Sequence, residues 1–265
     1  RTRCQPPGFQ QTYQTQEQTM NIALINLSGN VGKSTLAVHL FAAMRPGAKI
    51  ISVESVNSSD ADTIQGIEVE ENEASSFREI FRELMMAEGD VILDVGASNV
   101  TRFMAEMKKF KSAVHEIDLI VVPVVPQEKQ QRDTISTLEW LAERGFDPKR
   151  IRVVFNQFAN DGVSLVDAYS QIYGYLESTG NRAAYKPEAV VVSNELYDRV
   201  KGSGKTIREL AEDKTDWRAK RTEARAAGDL SGMEEAVDGQ MNKDLAQTAQ
   251  ENLAEVWKII GIGKK

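Results

Sequence analysis

Hydrophobic residues along the chain fall into two alternating patterns. Short apolar runs of strand length lie at residues 22–25, 49–53, 91–95, 119–125, 151–155 and 189–192. Between them, apolar residues recur every three to four positions, as on one face of a helix. An example is the series Phe77, Ile80, Phe81, Leu84 and Met85. This alternation predicts an α/β fold, in which a mostly parallel twisted sheet of about six strands has helices on both faces.

The two ends of the chain do not share this alternation. Residues 1–19 are rich in Gln and Thr and have no periodic apolar positions, so we expect a disordered or non-native leader. Residues 20–212 carry the alternating pattern and are predicted to form the main domain, in which the polar and acidic residues 57–72 form a loop. Residues 213–265 are predicted to form a helical C-terminal extension.

Composition narrows the class of protein. The chain has 265 residues, of which 41% are hydrophobic and 27% charged, as in globular proteins with a sizeable core. No apolar run approaches the roughly 20 residues that a membrane-spanning helix needs. The single cysteine, Cys4, leaves no internal disulfide and suits a reducing cytosol. A formal net charge of −7 argues against coating of nucleic acid by the whole surface, but it leaves room for a local basic patch.

The clearest chemistry lies in residues 26–35, which join an apolar strand to a strong helix former and contain two glycines before Lys33. Glycines let successive backbone N–H groups approach an anion, and the start of the following helix adds its own N–H groups and the positive end of its dipole. Lys33 supplies a full charge for the outer phosphates, and the Ser34 hydroxyl is placed to hold Mg²⁺. The stretch therefore predicts a phosphate-binding loop.

From Ser28 to Ser34 the sequence resembles the deviant Walker A motif of the ParA/MinD family, Lys-Gly-Gly-x-Gly-Lys-Ser/Thr. Two positions depart from that motif, because Ser28 replaces the leading lysine and Asn30 replaces the second glycine. Asparagine tolerates left-handed backbone angles, so we expect the loop shape to survive. The resemblance implies a P-loop NTPase fold that binds ATP or ADP with Mg²⁺. It assigns the nucleotide contacts to Gly29, Asn30, Val31, Gly32, Lys33, Ser34 and Thr35.

Further strand ends fit the same site. The apolar strand 91–95 contains Asp94, which resembles the Walker B carboxylate that holds Mg²⁺ through water. Gly96 follows where related proteins point an N–H toward the γ-phosphate. Lys33 and Asp94 are therefore the expected catalytic residues. Asn156 ends a later strand and resembles the residue that reads adenine in this family; a strand-terminal asparagine that makes a turn is the alternative from the residues alone.

The end of the second strand bears on the metal and on the rate of hydrolysis. Family members carry Asp-x-Asp there, whereas this chain has Glu54 and Val56. We expect Ser34, Glu54 and Asp94 to hold Mg²⁺. A valine can neither orient water nor accept a proton, so slow or absent ATP hydrolysis is expected.

Within the ParA/MinD class the chain looks most like StbB-type plasmid stability proteins. The resemblance implies a bacterial cytoplasmic switch that forms an ATP-dependent homodimer and acts with a small DNA-binding adaptor in plasmid stability, segregation or positioning. Two alternatives stay open: a metabolic ATP-dependent ligase or kinase on the same scaffold, and an adaptor in which the nucleotide is structural only.

The C-terminal extension offers two surfaces. One is basic and comprises Lys214, Arg218, Lys220, Arg221 and Arg225. ParA-like proteins hold DNA nonspecifically through such late helices, although a basic helix is more often a solvated face. The other is the apolar stripe of the last helix, at Leu245, Ala249, Leu253, Val256, Trp257 and Ile260. Its polar face lacks the many basic residues of membrane-surface helices, so we expect it to pack on the sheet or on a partner subunit rather than on a membrane.

Overall fold

The structure is a computed structural model that describes residues 19–53, 69–71, 77–110, 112–180 and 185–261. Within these residues strands and helices alternate along the chain, as the hydrophobic pattern predicts. No helix among them is long and apolar enough to cross a membrane.

The described strands form one parallel sheet. They are β1 (Asn21–Leu24), β2 (Lys49–Val53), β3 (Val69–Glu71), β4 (Val91–Val95), β5 (Leu119–Val124), β6 (Ile151–Phe158) and β7 (Tyr185–Val192). Their order across the sheet is β3-β2-β4-β1-β5-β6-β7, and every neighbouring pair is parallel. The predicted parallel sheet is confirmed.

β3 is the strand that the hydrophobic pattern missed. The prediction of a loop over residues 57–72 is wrong at residues 69–71, which pair with residues 50–52 of β2. A short strand at the edge of a sheet is held by its backbone hydrogen bonds and needs no apolar run. Glu70 and Glu71 therefore gave no sign of a strand.

Helices cover both faces of the sheet. They are α1 (Lys33–Leu36), α2 (Phe77–Met86), α3 (Ala97–Lys109), α4 (Ala113–Glu116), α5 (Glu128–Glu143), α6 (Leu165–Ala168), α7 (Ser170–Ser178), α8 (Leu196–Arg199), α9 (Ile207–Ala211), α10 (Trp217–Ala227) and α11 (Leu230–Ile260). A π-helical segment, Ala37–Ala42, continues α1, and a 3-10 turn, Pro148–Arg150, precedes β6. The helical stretch between β6 and β7 is divided into α6 and α7 because Tyr169 leaves helical geometry, with φ −119° and ψ 36°.

The sheet separates two hydrophobic cores. On one face, strand residues such as Ala23 and Leu93 pack with α2, α3, α5 and α7. On the other face, Ile22 and Ile92 pack with α1, the π-helical segment, α9 and the second half of α11. Successive side chains of a strand point to opposite faces. Asp94, two residues after Ile92, therefore lies on the face that α1 covers.

The second half of α11 belongs to this second core. Arg152, near the start of β6, donates from its Nε to the carbonyl of Ile260 at 2.9 Å. Asn252 bonds the backbone of Val190 and Val192 near the end of β7. α11 therefore runs antiparallel to the strands. The predicted packing of its stripe on the sheet is confirmed: the stripe residues that are fully buried are Ala249, Leu253, Val256 and Ile260.

The first half of α11 projects beyond the sheet. Asn194, two residues past the end of β7, donates from Nδ2 to the carbonyl of Leu245 at 3.1 Å. At 1.5 Å per residue, α11 continues from there for about 22 Å past the carboxyl edge of the strands. α10 packs closely on this part, because a Cβ on Gly239 would lie 2.6 Å from the ring of Trp217. We call residues 217–243 the arm.

Candidate functional site

The loop after β1 has a backbone suited to binding an anion. Asn30 (φ 56°) and Gly32 (φ 84°) both adopt left-handed angles, which occur in the anion-binding concavities called nests. Within the described residues, the backbone N–H groups of residues 29–32 and 34–35 donate no hydrogen bond to the protein. Open amides at the start of a helix are the groups that a phosphate binds.

Gly32 and Asn156 approach each other closely. The Nδ2 of Asn156 donates to the carbonyl of Val31 at 2.8 Å, and a Cβ on Gly32 would lie 2.2 Å from that nitrogen. Asn156 is 5% exposed, and its backbone carbonyl accepts a hydrogen bond from the Tyr169 hydroxyl at 2.6 Å. The side chain of Asn156 therefore supports the loop at Val31 and Gly32. Its predicted contact with adenine stays a prediction.

A second set of polar contacts holds residues 26–28, where the loop begins. Asn26 is fully buried and donates from Nδ2 to a carbonyl of β5 at 2.8 Å and to Thr134 Oγ1 at 2.7 Å. Its Oδ1 accepts from the Ser28 N–H at 2.8 Å, and Thr137 Oγ1 accepts from the Leu27 N–H at 3.1 Å. Buried polar groups are paired in this way because an unmade hydrogen bond is costly. The loop is thus tied to α5.

Lys33 lies inside the loop. Its side chain is 7% exposed, and Nζ donates to the carbonyls of Ser28 at 2.9 Å and of Asn26 at 3.4 Å. This places the ammonium group beside the open amides. Ser28, at the position of the family lysine, is 2% exposed and offers neither a charge nor an accessible side chain to a neighbouring molecule.

Asp94 lies on the face of the sheet that α1 covers. In the pairing of β4 with β1 it is level with Leu24, the last residue of β1, and its side chain is 3% exposed. Ser34, in the first turn of α1, is half-buried. A hydroxyl and a carboxylate are hard oxygen ligands, of the kind that Mg²⁺ takes together with water and phosphate oxygens. The donors therefore fit a magnesium ion that arrives with a nucleotide.

Within the described residues, no group of three or more His, Cys, Asp or Glu residues lies close enough together to hold a metal ion.

The backbone of Val53 is hydrogen-bonded just before Glu54 and Val56, which stand where the family carries Asp-x-Asp. The carbonyl of Val53 accepts hydrogen bonds from the Gly96 N–H and from Asn99 Nδ2, both at 3.1 Å. The Gly96 N–H, expected to face the γ-phosphate, is thus bonded to β2 in this structure. Glu54 and Val56 lie outside the described residues, so Glu54 as a metal ligand stays a prediction.

His39 is buried in the π-helical segment that continues α1. Its Nδ1 accepts a hydrogen bond from the Ile207 N–H at 3.4 Å, which joins this segment to α9. Burial lowers the pKa of His39 from 6.5 to about 4. The imidazole is therefore neutral at pH 7, and its protonation would work against folding.

The supports of the loop were missed by reasoning from the sequence. Asn26 could have been found, because a polar residue that ends an apolar strand at a phosphate loop has its side chain near that loop. Thr134 and Thr137 lie on the buried side of a helix, and Tyr169 interrupts one. No local pattern separates these three from residues that only fill a core.

The basic residues predicted to hold DNA lie at the base of the arm and along it. Arg218, Lys220, Arg221 and Arg225 are exposed on α10, which has no buried residue, and Lys214 is exposed just before it. Within the described residues none of the five forms an ion pair. Their charges are therefore available to a partner.

Solved structures share this fold at low sequence identity. McdA from Cyanothece in complex with ATP is 14% identical, with a TM-score of 0.53 over 93% of this chain and 98% of that chain. The septum site-determining protein MinD from Pyrococcus horikoshii, complexed with Mg-ADP, is 15% identical, with a TM-score of 0.51 over 94% and 100%. A plasmid partition protein from Borrelia burgdorferi, bound to AMPPNP, is 11% identical, with a TM-score of 0.50 over 91% and 99%. These likenesses concern the fold alone.

A protein-family model gives the assignment that the solved structures do not. No curated protein sequence matches the chain. Residues 22–181 match the model of the CobQ/CobB/MinD/ParA nucleotide binding domain, a range that covers more than half of the chain. The matched range contains the phosphate loop, Asp94 and Asn156. The chain therefore belongs to the CobQ/CobB/MinD/ParA family of nucleotide-binding domains.

Proposed function

We propose that this chain is an ATP-binding molecular switch of the ParA/MinD class that acts in plasmid DNA stability, segregation or positioning. The observation that carries the proposal is the cradle of open amides in residues 29–32 and 34–35, with the Lys33 ammonium group beside it. The amides and Lys33 would bind the phosphates of ATP, while Ser34, Asp94 and Glu54 would hold Mg²⁺. The ion would supply charge neutralisation at the outer phosphates.

Asn156 is proposed to contact the base through the atom that its loop contact leaves open. Nδ2 is used by Val31, whereas Oδ1 makes no hydrogen bond within the described residues. The adenine amino group is a donor and matches that acceptor oxygen.

Two variants separate the contact with the base from the support of the loop. Asn156→Asp keeps an acceptor and loses the donor to Val31, whereas Asn156→Ala loses both. The preference for ATP over GTP should survive in the Asp variant and fall in the Ala variant; equal loss in both would limit Asn156 to bracing the loop.

Hydrolysis is proposed to be slow. The position of the family lysine holds a buried serine, Ser28, and Val56 replaces the second acid of the family's Asp-x-Asp. Charge that develops on the phosphates would then lack the cation that family members carry at position 28, and the attacking water would have no carboxylate from position 56. Lys33 and the loop amides would still stabilise that charge, together with a Mg²⁺ ion if Ser34 and Asp94 hold one. A long-lived ATP state suits a switch, because partners must bind before the γ-phosphate is lost.

The proposal has three further parts. The chain would form a homodimer when ATP is bound, it would recruit a small DNA-binding adaptor, and it would belong to the StbB-type plasmid stability proteins. A ligand shifts a conformational equilibrium only through contacts that differ between the two states. The γ-phosphate is the group that distinguishes ATP from ADP at this loop. We therefore expect dimers with ATP and monomers with ADP.

Direct contact with DNA is proposed for the basic residues at the arm, Lys214 and the four on α10. Phosphate contacts by such residues are sequence-independent and weaken steeply with salt. Replacement of the five by alanine should weaken retention on DNA at low salt. The exposed Lys129 and Arg132 of α5 provide the control, and DNA retention that is unchanged without the five charges would remove this part of the proposal.

The decisive test is calorimetric titration of ATP with and without Mg²⁺, followed by light scattering of the same samples. Wild-type protein should bind ATP and dimerise, and Lys33→Ala should lose the binding. Lys129→Ala, at a lysine that is 75% exposed, is the matched control. The absence of any triphosphate uptake would refute the proposal. ATP binding without dimers, together with fast turnover on a second substrate, would favour the ligase or kinase alternative.

A further inference from the structure

We propose that the outer side of the arm is a docking site for a basic amphipathic helix of a partner protein. The argument starts from the place of the arm. α11 leaves the sheet at Leu245, at the same carboxyl edge that carries the phosphate loop, Asp94 and Asn156. A protein bound to the arm is therefore held on the nucleotide side of the molecule.

An apolar stripe runs along the arm on α11. It consists of Leu230, Met233, Val237 and Met241, whose spacing puts them on one side of a helix. Leu230 is 74% exposed, Val237 38% and Met241 45%. α10 does not cover them, since it packs against the glycines of α11, Gly232 and Gly239, and against the buried Ala236. The stripe is a contiguous apolar surface of about three helical turns, the length that a helix-in-groove contact uses.

The stripe carries a shallow, open depression with an acidic flank. The depression has a volume of about 370 Å³, and all of its lining residues belong to α11: Leu230, Met233, Glu234, Val237 and Asp238. Glu234 and Asp238 are one helical turn apart and exposed, and within the described residues neither forms an ion pair. A ligand that fits must lay apolar side chains on the stripe and present positive charge beside them. An amphipathic helix with lysines or arginines next to its apolar ridge has this chemistry.

A second copy of this chain fits the stripe less well. Residues 229–242 contain Asp229, Glu234, Glu235 and Asp238 and no lysine or arginine. An antiparallel contact between two stripes would place the carboxylates of each copy beside those of the other, and juxtaposed like charges are unfavourable. The charge pattern therefore favours a basic partner over a dimer in which two stripes meet.

This inference deepens the proposed function and rests on it only for the identity of the partner, the DNA-binding adaptor. Binding at the stripe itself requires no nucleotide, so it is tested on nucleotide-free protein. Loss of ATP binding would refute the proposed function and leave the docking site standing, and failure of the docking test would leave ATP binding untouched.

The test uses a fluorescein-labelled 18-residue helical peptide of leucine and lysine, titrated with the full chain and followed by anisotropy. A leucine–glutamate peptide with the same leucine positions is the charge control. The lysine peptide should bind at least tenfold more tightly than the glutamate peptide. The double variant Glu234→Lys and Asp238→Lys should reverse that preference. Glu139→Lys with Glu143→Lys, an exposed acidic pair of the same spacing on α5, should leave it unchanged.

The apolar half of the contact has its own variant. Val237→Ser with Met241→Ser should weaken the lysine peptide at least tenfold, whereas Val166→Ser, at a valine that is 57% exposed on α6, should not. Equal effects of the α5 and arm charge reversals would show general attraction to an acidic protein and overturn the proposal. Wild-type self-association in sedimentation that disappears with the Val237 and Met241 variant would overturn it in favour of a second copy.

Discussion

Replacement of Gly32 by alanine should reveal how tightly Asn156 holds the phosphate loop. Gly32 has φ 84°, and its missing Cβ would lie 2.2 Å from Asn156 Nδ2. Gly47 is the matched control, because it has φ 88° with nothing within 4 Å of its missing Cβ. An alanine at either glycine pays the left-handed backbone cost of about 1–2 kcal/mol, partly offset by about 0.4–1 kcal/mol from the stiffer unfolded chain. Gly47→Ala should therefore lower the free energy of unfolding by about 1 kcal/mol.

Gly32→Ala should cost more, because the Asn156 amide must also move. The bond to Val31 is then lost, worth about 1 kcal/mol net, and a buried amide without its partner adds about 1–2 kcal/mol. We expect a total loss of about 2–4 kcal/mol in urea unfolding, together with weaker ATP binding. In an Asn156→Ala background, the cost of Gly32→Ala should fall to that of Gly47→Ala. Equal costs for the two glycines in the wild-type background would refute this account of the loop.

Three further predictions concern the surroundings of the site and the arm. In the folded chain burial lowers the pKa of His39 to about 4, whereas its ordinary value, 6.5, applies to the unfolded chain. As the pH falls, the unfolded chain therefore takes up the proton first, and the free energy of unfolding should drop by about 3 kcal/mol between pH 6.5 and 4. His39→Leu should remove that slope in urea unfolding at several pH values; an unchanged slope would contradict the assignment. Thr137→Val should weaken ATP binding, whereas Thr248→Val, which breaks the same type of bond within α11, should not; equal effects would remove the role of α5. Gly239→Ala should loosen the arm and speed its amide hydrogen exchange, because the new Cβ would clash with Trp217. Gly174→Ala is the control, since its Cβ would enter open space and should stabilise α7. Hydrogen exchange that is slowed equally by the two variants would show that the arm packs loosely.

The sequence predicted those parts of the fold that depend on local pattern. The apolar runs at residues 22–25 and 91–95 became β1 and β4 because central strands of a parallel sheet are buried on both faces. The phosphate loop and Asp94 could be predicted as candidate site residues because glycine, lysine and an acid near a strand end each have a fixed place in such a sheet. β3 was missed because an edge strand needs no apolar residues.

Contacts between distant segments account for the rest. Thr137 reaches Leu27 across 110 positions of sequence, and Asn156 reaches Val31 across 125. No window of sequence reports such pairs, since each depends on how β5, α5 and β6 pack beside β1. The basic residues of α10 were identified as a group, but their place on a projecting arm follows from where α11 leaves the sheet. That point is set by tertiary packing rather than by helix propensity.

α11 is one unbroken helix of 31 residues, about 46 Å long, and it joins two regions with different surroundings. Its second half packs against β7, α9 and the π-helical segment. Its first half packs against α10, and Arg199 of α8 donates to Asn242 Oδ1 at 3.2 Å near the point where the arm begins. Because the helix is unbroken, a tilt of about 10° where it packs on the sheet would displace its N-terminal end by about 4 Å over the projecting length of about 22 Å. A small rearrangement behind the nucleotide would thus be enlarged at that end, and a load on that end would be transmitted back to the loop.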